Sequence, residues 1–182
     1  SKTQREVPRK RSKRMKKVKK LLALVMAMTM VLGMAISVSA APSTETATAT
    51  VKGIDEANAT VEAYQLVYYD AEKQDYDVTD GAKLHGYTVG SREADVVAEL
   101  AKNVGDLGDP VLLTNDGSEE YKASLTAGTY LIIVTGTGST LYNPMLMSLE
   151  VKYPDGTEGG EVNADDWFVE SSEVYAKSTG VT

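Results

Sequence analysis

The side chains best suited to chemistry are few and scattered. They are one histidine, His85, the carboxylates Asp70, Glu72, Asp75, Asp77 and Asp80, the loop Gly136-Thr137-Gly138, and the eight lysines and arginines beyond residue 40. A histidine-based metal site or general base needs a second ligand or a nucleophile beside it. The chain has no cysteine and no second histidine, so His85 reads as a packed or solvated residue. Clustered carboxylates could collect calcium, but the spacing lacks the glycine and terminal glutamate of a calcium loop and reads as a solvated acidic turn. Gly136-Thr137-Gly138 lacks the lysine and helix that a phosphate cradle requires, and strand sequence follows it, so it reads as a hairpin turn. No G-x-S-x-G elbow is present to activate a serine. Asn58-Ala59-Thr60 fits a glycosylation acceptor, a pattern that recurs by chance. The expectation is a protein with no catalytic residue, no cofactor and no metal, and therefore not an enzyme.

The elements that hold these residues read mainly as strands. Runs rich in β-branched residues and tyrosine, bounded by Gly, Asp and Asn, fall at 48–54, 59–69, 83–89, 111–114, 120–126, 129–135 and 145–153. In the last run Met145, Met147, Leu149 and Val151 alternate with Ser148, Glu150 and Lys152, which predicts one apolar and one polar face. Thr129–Thr135 is apolar almost throughout and predicts a central strand. One segment departs from the two-residue period: Val97, Leu100, Ala101 and Val104 fall at helical spacing, with Ser91 placed to cap and Gly105 to terminate. The expected fold is all-β: an antiparallel Ig-like β-sandwich with one short helix, residues 92–103, laid over one end.

The two ends of the chain differ in character. Lys16-Lys17-Val18-Lys19-Lys20 leads into the apolar segment 21–38 and then Ser39, Ala40 and Ala41, the order of a signal peptide cleaved after Ala40. The segment also approaches the ~17–25 residues of a membrane span, so a retained anchor is the alternative. The basic stretch before Met15 is either an extended leader or translated sequence upstream of a start at Met15. Residues 1–40 hold 11 of the 19 basic residues and 1 of the 26 acidic ones. The remainder carries 8 basic against 25 acidic side chains, a net charge of −17. So acidic a domain repels nucleic acid and anionic membranes, leaving the uncleaved leader as the only membrane contact expected. The organisation that follows is leader 1–40, polar tether 41–48, β-sandwich 49–177 and the start of a linker at 178–182.

Three stretches carry a resemblance: VEAYQLVYYD (61–70), SLTAGTYLIIVTGTGSTLYNPMLMSLEVKY (124–153) and WFVESSEVYAKS (167–178). Together they resemble the N-terminal domain of Gram-positive isopeptide-forming fimbrial subunits, pilin-type surface proteins. The resemblance implies a secreted, cell-surface structural subunit, joined head to tail by a sortase and anchored in the wall, whose partners are other fimbrial subunits and the sortase. It also implies internal lysine–asparagine or lysine–aspartate cross-links formed beside a catalytic acid.

This sequence departs from that pattern in three places. Val134 stands where related domains carry the catalytic glutamate, so no internal cross-link is expected. The linkage motif reads Val174-Tyr175-Ala176-Lys177, with alanine in place of proline and one residue more after Trp167. Lys177 is accordingly the candidate sortase-linkage lysine. The chain ends at Thr182 without a sorting signal, which reads as a truncated product or a fragment. The alternative is an adhesin for glycan or host protein, with Tyr64, Tyr68, Tyr69, Tyr76 and Tyr87 as an aromatic platform.

Overall fold

The computed structural model describes residues 44–152 and 167–181. The leader, its cleavage point after Ala40 and the end of the 145–153 strand lie outside the described residues. Strands β1 (Thr46–Lys52), β2 (Thr60–Asp70) and β3 (Asp75–Val78) precede helices α1 (Asp80–Leu84) and α2 (Ala94–Lys102) and a 3₁₀ turn, Val104–Asp106. Then follow β4 (Val111–Leu113), β5 (Tyr121–Thr126), β6 (Gly128–Thr135), β7 (Thr140–Tyr142) and β8 (Met145–Leu149). The short pair β9 (Val151–Lys152) and β10 (Phe168–Val169) leads to β11 (Ser172–Tyr175) and β12 (Ser178–Val181).

The larger sheet has the order β12-β7-β6-β2-β3, with β8 also on β6 and β4 also on β2; the smaller has the order β11-β1-β5. Between the sheets lies a core of Val51, Ile54, Val61, Ala63, Leu125, Tyr130, Ile132, Met147 and Leu149, all at most 3% exposed. The opposite face of the larger sheet is covered as well. There Tyr64, Leu66, Val67 and Leu131 meet Ala82 of α1 and Leu100 of α2. The all-apolar β6 is thus explained: Tyr130, Ile132 and Val134 face the smaller sheet and Leu131 faces the helices, so both sides need apolar residues. Burying Leu131 alone stabilises by roughly 1.5–3 kcal/mol.

The all-β sandwich is as the sequence predicts, with four differences in detail. Residues 83–89 are not a strand: α1 occupies 80–84, capped by the Thr79 hydroxyl accepting from the Ala82 N–H at 3.3 Å. The short run K-L-H-G-Y-T-V looks alternating, but Ala82 is fully buried, and so small a side chain lets the turn lie flat on the sheet. The second helix begins later than expected. Glu93 is its N-cap residue, and Ser91 instead pairs its hydroxyl with that of Thr88 at 2.8 Å. It also covers a sheet face rather than an end of the sandwich, because Leu100, Val97 and Val104 are drawn onto Leu131 and Ile133. Finally, one strand pair is parallel: β1 and β11, in register from Ala49–Ser172 to Lys52–Tyr175.

Pairing also reaches into both flanks. Thr46, Ala47 and Thr48, expected as tether, pair with Thr126, Leu125 and Ser124. The backbone of 178–181, expected as linker, pairs with β7.

Candidate functional site

The residues that could act on a partner gather where the chain leaves β11. The β1–β2 connection, the β6–β7 hairpin and the segment 176–178 enclose an open cleft of about 350 Å³. Gly53, Asp55, Glu56, Thr137, Tyr142 and Ser178 are among its walls. Glu56 ties these pieces together. Its Oε1 accepts from the Thr137 N–H and hydroxyl, both at 2.8 Å, and its Oε2 accepts from the Tyr142 hydroxyl at 3.2 Å. The Thr137 N–H, then its hydroxyl, hold the Glu56 carboxyl below its ordinary value. Desolvation, with Glu56 beside it, raises the Tyr142 phenol.

Gly136 makes this latch possible, since a Cβ there would collide with Glu56 Oε2. The backbone of the β1–β2 connection is fixed by Tyr121, whose buried hydroxyl donates to the Glu56 carbonyl and accepts from the Ala59 N–H. Gly136-Thr137-Gly138 is therefore the turn the sequence predicts, and its N–H holds a carboxylate of the protein itself. Glu56, Tyr121 and Tyr142 carried no signal in the sequence. A glutamate in a polar loop acquires its role only when a hairpin 81 residues away is brought to it.

Lys177 is exposed and sits between Ala176 and Ser178, two residues of the cleft wall. Its backbone is pinned on both sides. The Ala176 N–H donates to the Lys52 carbonyl at 2.8 Å, and the Lys177 carbonyl accepts from the Asn143 N–H at 2.9 Å. A proline at 176 has no N–H and could not make the first of these bonds, which gives a physical reason for the alanine. The nearby carboxylate of Glu173 is turned to Lys52, at 3.2 Å.

The other candidates are dispersed. His85 caps α1 and packs against the 3₁₀ turn, its Nε2 2.9 Å from Asp106 Oδ2 and its Nδ1 3.8 Å from Glu99 Oε2. Asp70 accepts from the N–H groups of Glu72 and Lys73 in its own turn. Asp77 pairs with Lys73 at 3.0 Å, and Asp80 lies in the first turn of α1. Among the described residues no three metal-ligating side chains converge.

The tyrosine platform is not assembled. Tyr64 and Tyr87 are buried under the helices, whereas Tyr69 lies between the sheets, its ring edge-on to Tyr76 and Trp167 at 5.1 and 6.2 Å. Tyr68 alone of the five is exposed, at 37%. The residues of the cross-linking chemistry are also apart. Val134 is buried between the sheets, and every lysine of the described residues lies outside the buried core.

This arrangement of two sheets with helices on one face has a counterpart among solved structures. The chain folds like a pilin domain. One similar structure is the T6 backbone pilin of serotype M6 Streptococcus pyogenes, described as modular and three-domain, with variable loops and extensions. The match has a TM-score of 0.54 at 18% identity and covers 74% of this chain. It takes in 28% of the length of that pilin. No protein-family model and no curated protein sequence matches the chain.

Proposed function

We propose that the chain is a structural subunit, or a domain of one, in a bacterial surface fimbria, exported behind the leader 1–40 and joined to its neighbours by a sortase. The observation that supports this reading best is the fold shared with a backbone pilin over 74% of the chain. The parallel register of β1 and β11 puts the start of β1 and the end of β11 at opposite ends of the smaller sheet, before the chain continues as β12 beside β7. The burial of Tyr64, Tyr69 and Tyr87 means that these three do not form the aromatic platform considered for an adhesin.

Lys177 is the residue we assign to the linkage. A sortase-bound acyl group is attacked by an unprotonated amine, and Lys177 offers an exposed side chain on a backbone fixed by two hydrogen bonds. The same proposal takes in the paired flanks, so that the domain runs from about Thr46 to about Val181 where the sequence suggested 49 to 177.

Immunogold electron microscopy of the producing cells, with antibody raised against residues 44–181, tests the reading. Gold along filaments is the expected result, and label confined to the medium would overturn it. Lys177→Ala in the complete gene should abolish the high-molecular-weight ladder of wall extracts on a denaturing gel. An unchanged ladder would remove Lys177 from the linkage. Secreted protein should begin at Ala41, and a protein that keeps residues 21–38 would refute cleavage after Ala40.

A further inference from the structure

Lys177 lies at the root of a two-stranded ribbon. β11 belongs to the smaller sheet and β12 to the larger, so the chain changes sheets at Ala176 and Lys177. From there β12 runs back along β7 through the pairs Ser178–Tyr142, Gly180–Leu141 and Val181–Thr140. β7 in turn meets β6 through one residue pair, Thr135–Leu141, because β8 takes the same side of β6 from Gly128 to Ile132. Burial adds little hold: Leu141 is 54% exposed, and Thr140 and Tyr142 are half-buried. A ribbon joined to its sheet by so short a ladder opens at low cost unless something else fastens it.

Glu56 supplies that fastening. It stands on the β1–β2 connection, off the ribbon, and its carboxylate accepts from the Thr137 N–H and hydroxyl at 2.8 Å each and from the Tyr142 hydroxyl at 3.2 Å. Thr137 lies in the turn that leads into β7 and Tyr142 is its last residue, so the strand is held at its entry and at its end. Tyr142 is also opposite Ser178 and next to Asn143, whose N–H holds the Lys177 carbonyl at 2.9 Å. From the Glu56 carboxylate the path to the Lys177 backbone is therefore one side-chain bond, one step along β7 and one backbone bond. Bonds to an ionised acceptor are stronger than those between neutral groups, which suits a carboxylate to this place.

We propose that Glu56 is a positioning residue for the linkage at Lys177: it latches the β7–β12 ribbon to the β1–β2 connection and so fixes where the Lys177 backbone presents its amine. The inference rests on the reading of Lys177 as the linkage residue. An amine on a fixed backbone meets an acyl group delivered by another protein in reactive geometry more often than one on a swinging ribbon.

Amide hydrogen exchange, followed residue by residue by NMR on the complete chain, reads the latch. Glu56→Ala should speed exchange of the Asn143 N–H about tenfold or more, the loss of at least one bond to a charged group. Leu131 and Ile132, paired on both sides in the middle of the larger sheet, should keep their wild-type rates. Glu56→Gln still offers an oxygen to Thr137 and should fall between the two. Tyr142→Phe, which keeps the ring and removes only the hydroxyl, should speed Asn143 by a smaller factor than Glu56→Ala. An Asn143 rate untouched by Glu56→Ala and by Tyr142→Phe would overturn the latch. Equal acceleration at Asn143, Leu131 and Ile132 would overturn it too, by making Glu56 a support of the whole fold. In the complete gene, Glu56→Ala should weaken the high-molecular-weight ladder of wall extracts severalfold, and Glu56→Gln should restore most of it. A ladder of wild-type strength beside a faster Asn143 would overturn the positioning role. A ladder that survives Lys177→Ala would overturn the linkage and the positioning role with it, whereas the latch, read on isolated protein, would stand.

Discussion

Replacing Leu100 with alanine tests the helical layer. Leu100 is fully buried and lies in one cluster with Tyr64, Leu66, Tyr87, Leu107 and Leu131. Leucine-to-alanine changes at such sites cost about 2–5 kcal/mol, made up of lost transfer energy and the cavity left behind. α2 is only nine residues long and touches the sheet along one stripe, so the loop after it can settle into part of the gap. A loss of about 3 kcal/mol follows, in the lower half of that range. With a urea slope of about 2 kcal/mol per molar, the unfolding midpoint should fall by about 1.5 M at unchanged slope. Leu84→Ala is the control: this side chain is 71% exposed on α1, and its loss should stay within about 0.5 kcal/mol. The reasoning is refuted if Leu100→Ala costs less than about 1 kcal/mol, or no more than Leu84→Ala.

Gly128→Ala should be more damaging than any surface change. Gly128 has φ +147°, and a Cβ there would collide with the Val67 carbonyl oxygen, so about 3 kcal/mol or more is expected to be lost, read as a melting-temperature drop of about 10 °C; a melting temperature equal to wild type would disprove it. Glu56, whose carboxyl is held below its ordinary value near 4.5, contributes stability that is complete above that value and lost as pH falls through the lower folded value. Acid unfolding of Glu56→Gln should therefore be flatter below pH 4.5 than that of wild type, and superimposable acid-unfolding curves would count against the latch. Intact-mass measurement of the folded domain should show the full sequence mass, because the lysines lie at the surface and Val134 offers no acid. A deficit of about 17 or 18 Da would reveal a lysine–amide or lysine–carboxyl cross-link.

The parts legible in the sequence are those set by local period. β6 could be read because burial on both faces leaves no polar residue from Tyr130 to Val134, and α2 because Val97, Leu100, Ala101 and Val104 share one stripe. α1 could not be read: five residues contain too little of a helical period, and what fixes the turn is the Thr79 cap and the fit of Ala82 against the sheet. Lys177 stands out in the sequence by its context, Val174-Tyr175-Ala176 downstream of Trp167. The cleft beside it was not, because Glu56, Thr137, Tyr142 and Ala176 meet only through long-range pairing. The partnership of β1 with β11 joins segments more than 120 residues apart. Nothing in either four-residue run states the other as its neighbour or the pairing as parallel.

The open edge at β3 has a consequence for crowding. An unpaired strand edge is a template on which a second chain can add, and molecules packed side by side at high local concentration are the most exposed to that hazard. Here the edge strand is four residues long and carries Asp75 and Asp77. The bond from Lys73, then that from the Val78 N–H, keeps Asp77 ionised to lower pH than usual. Charged side chains on so short an edge strand disfavour its pairing with a second chain. A short strand with acidic side chains thereby blunts this border of the larger sheet against edge-to-edge addition.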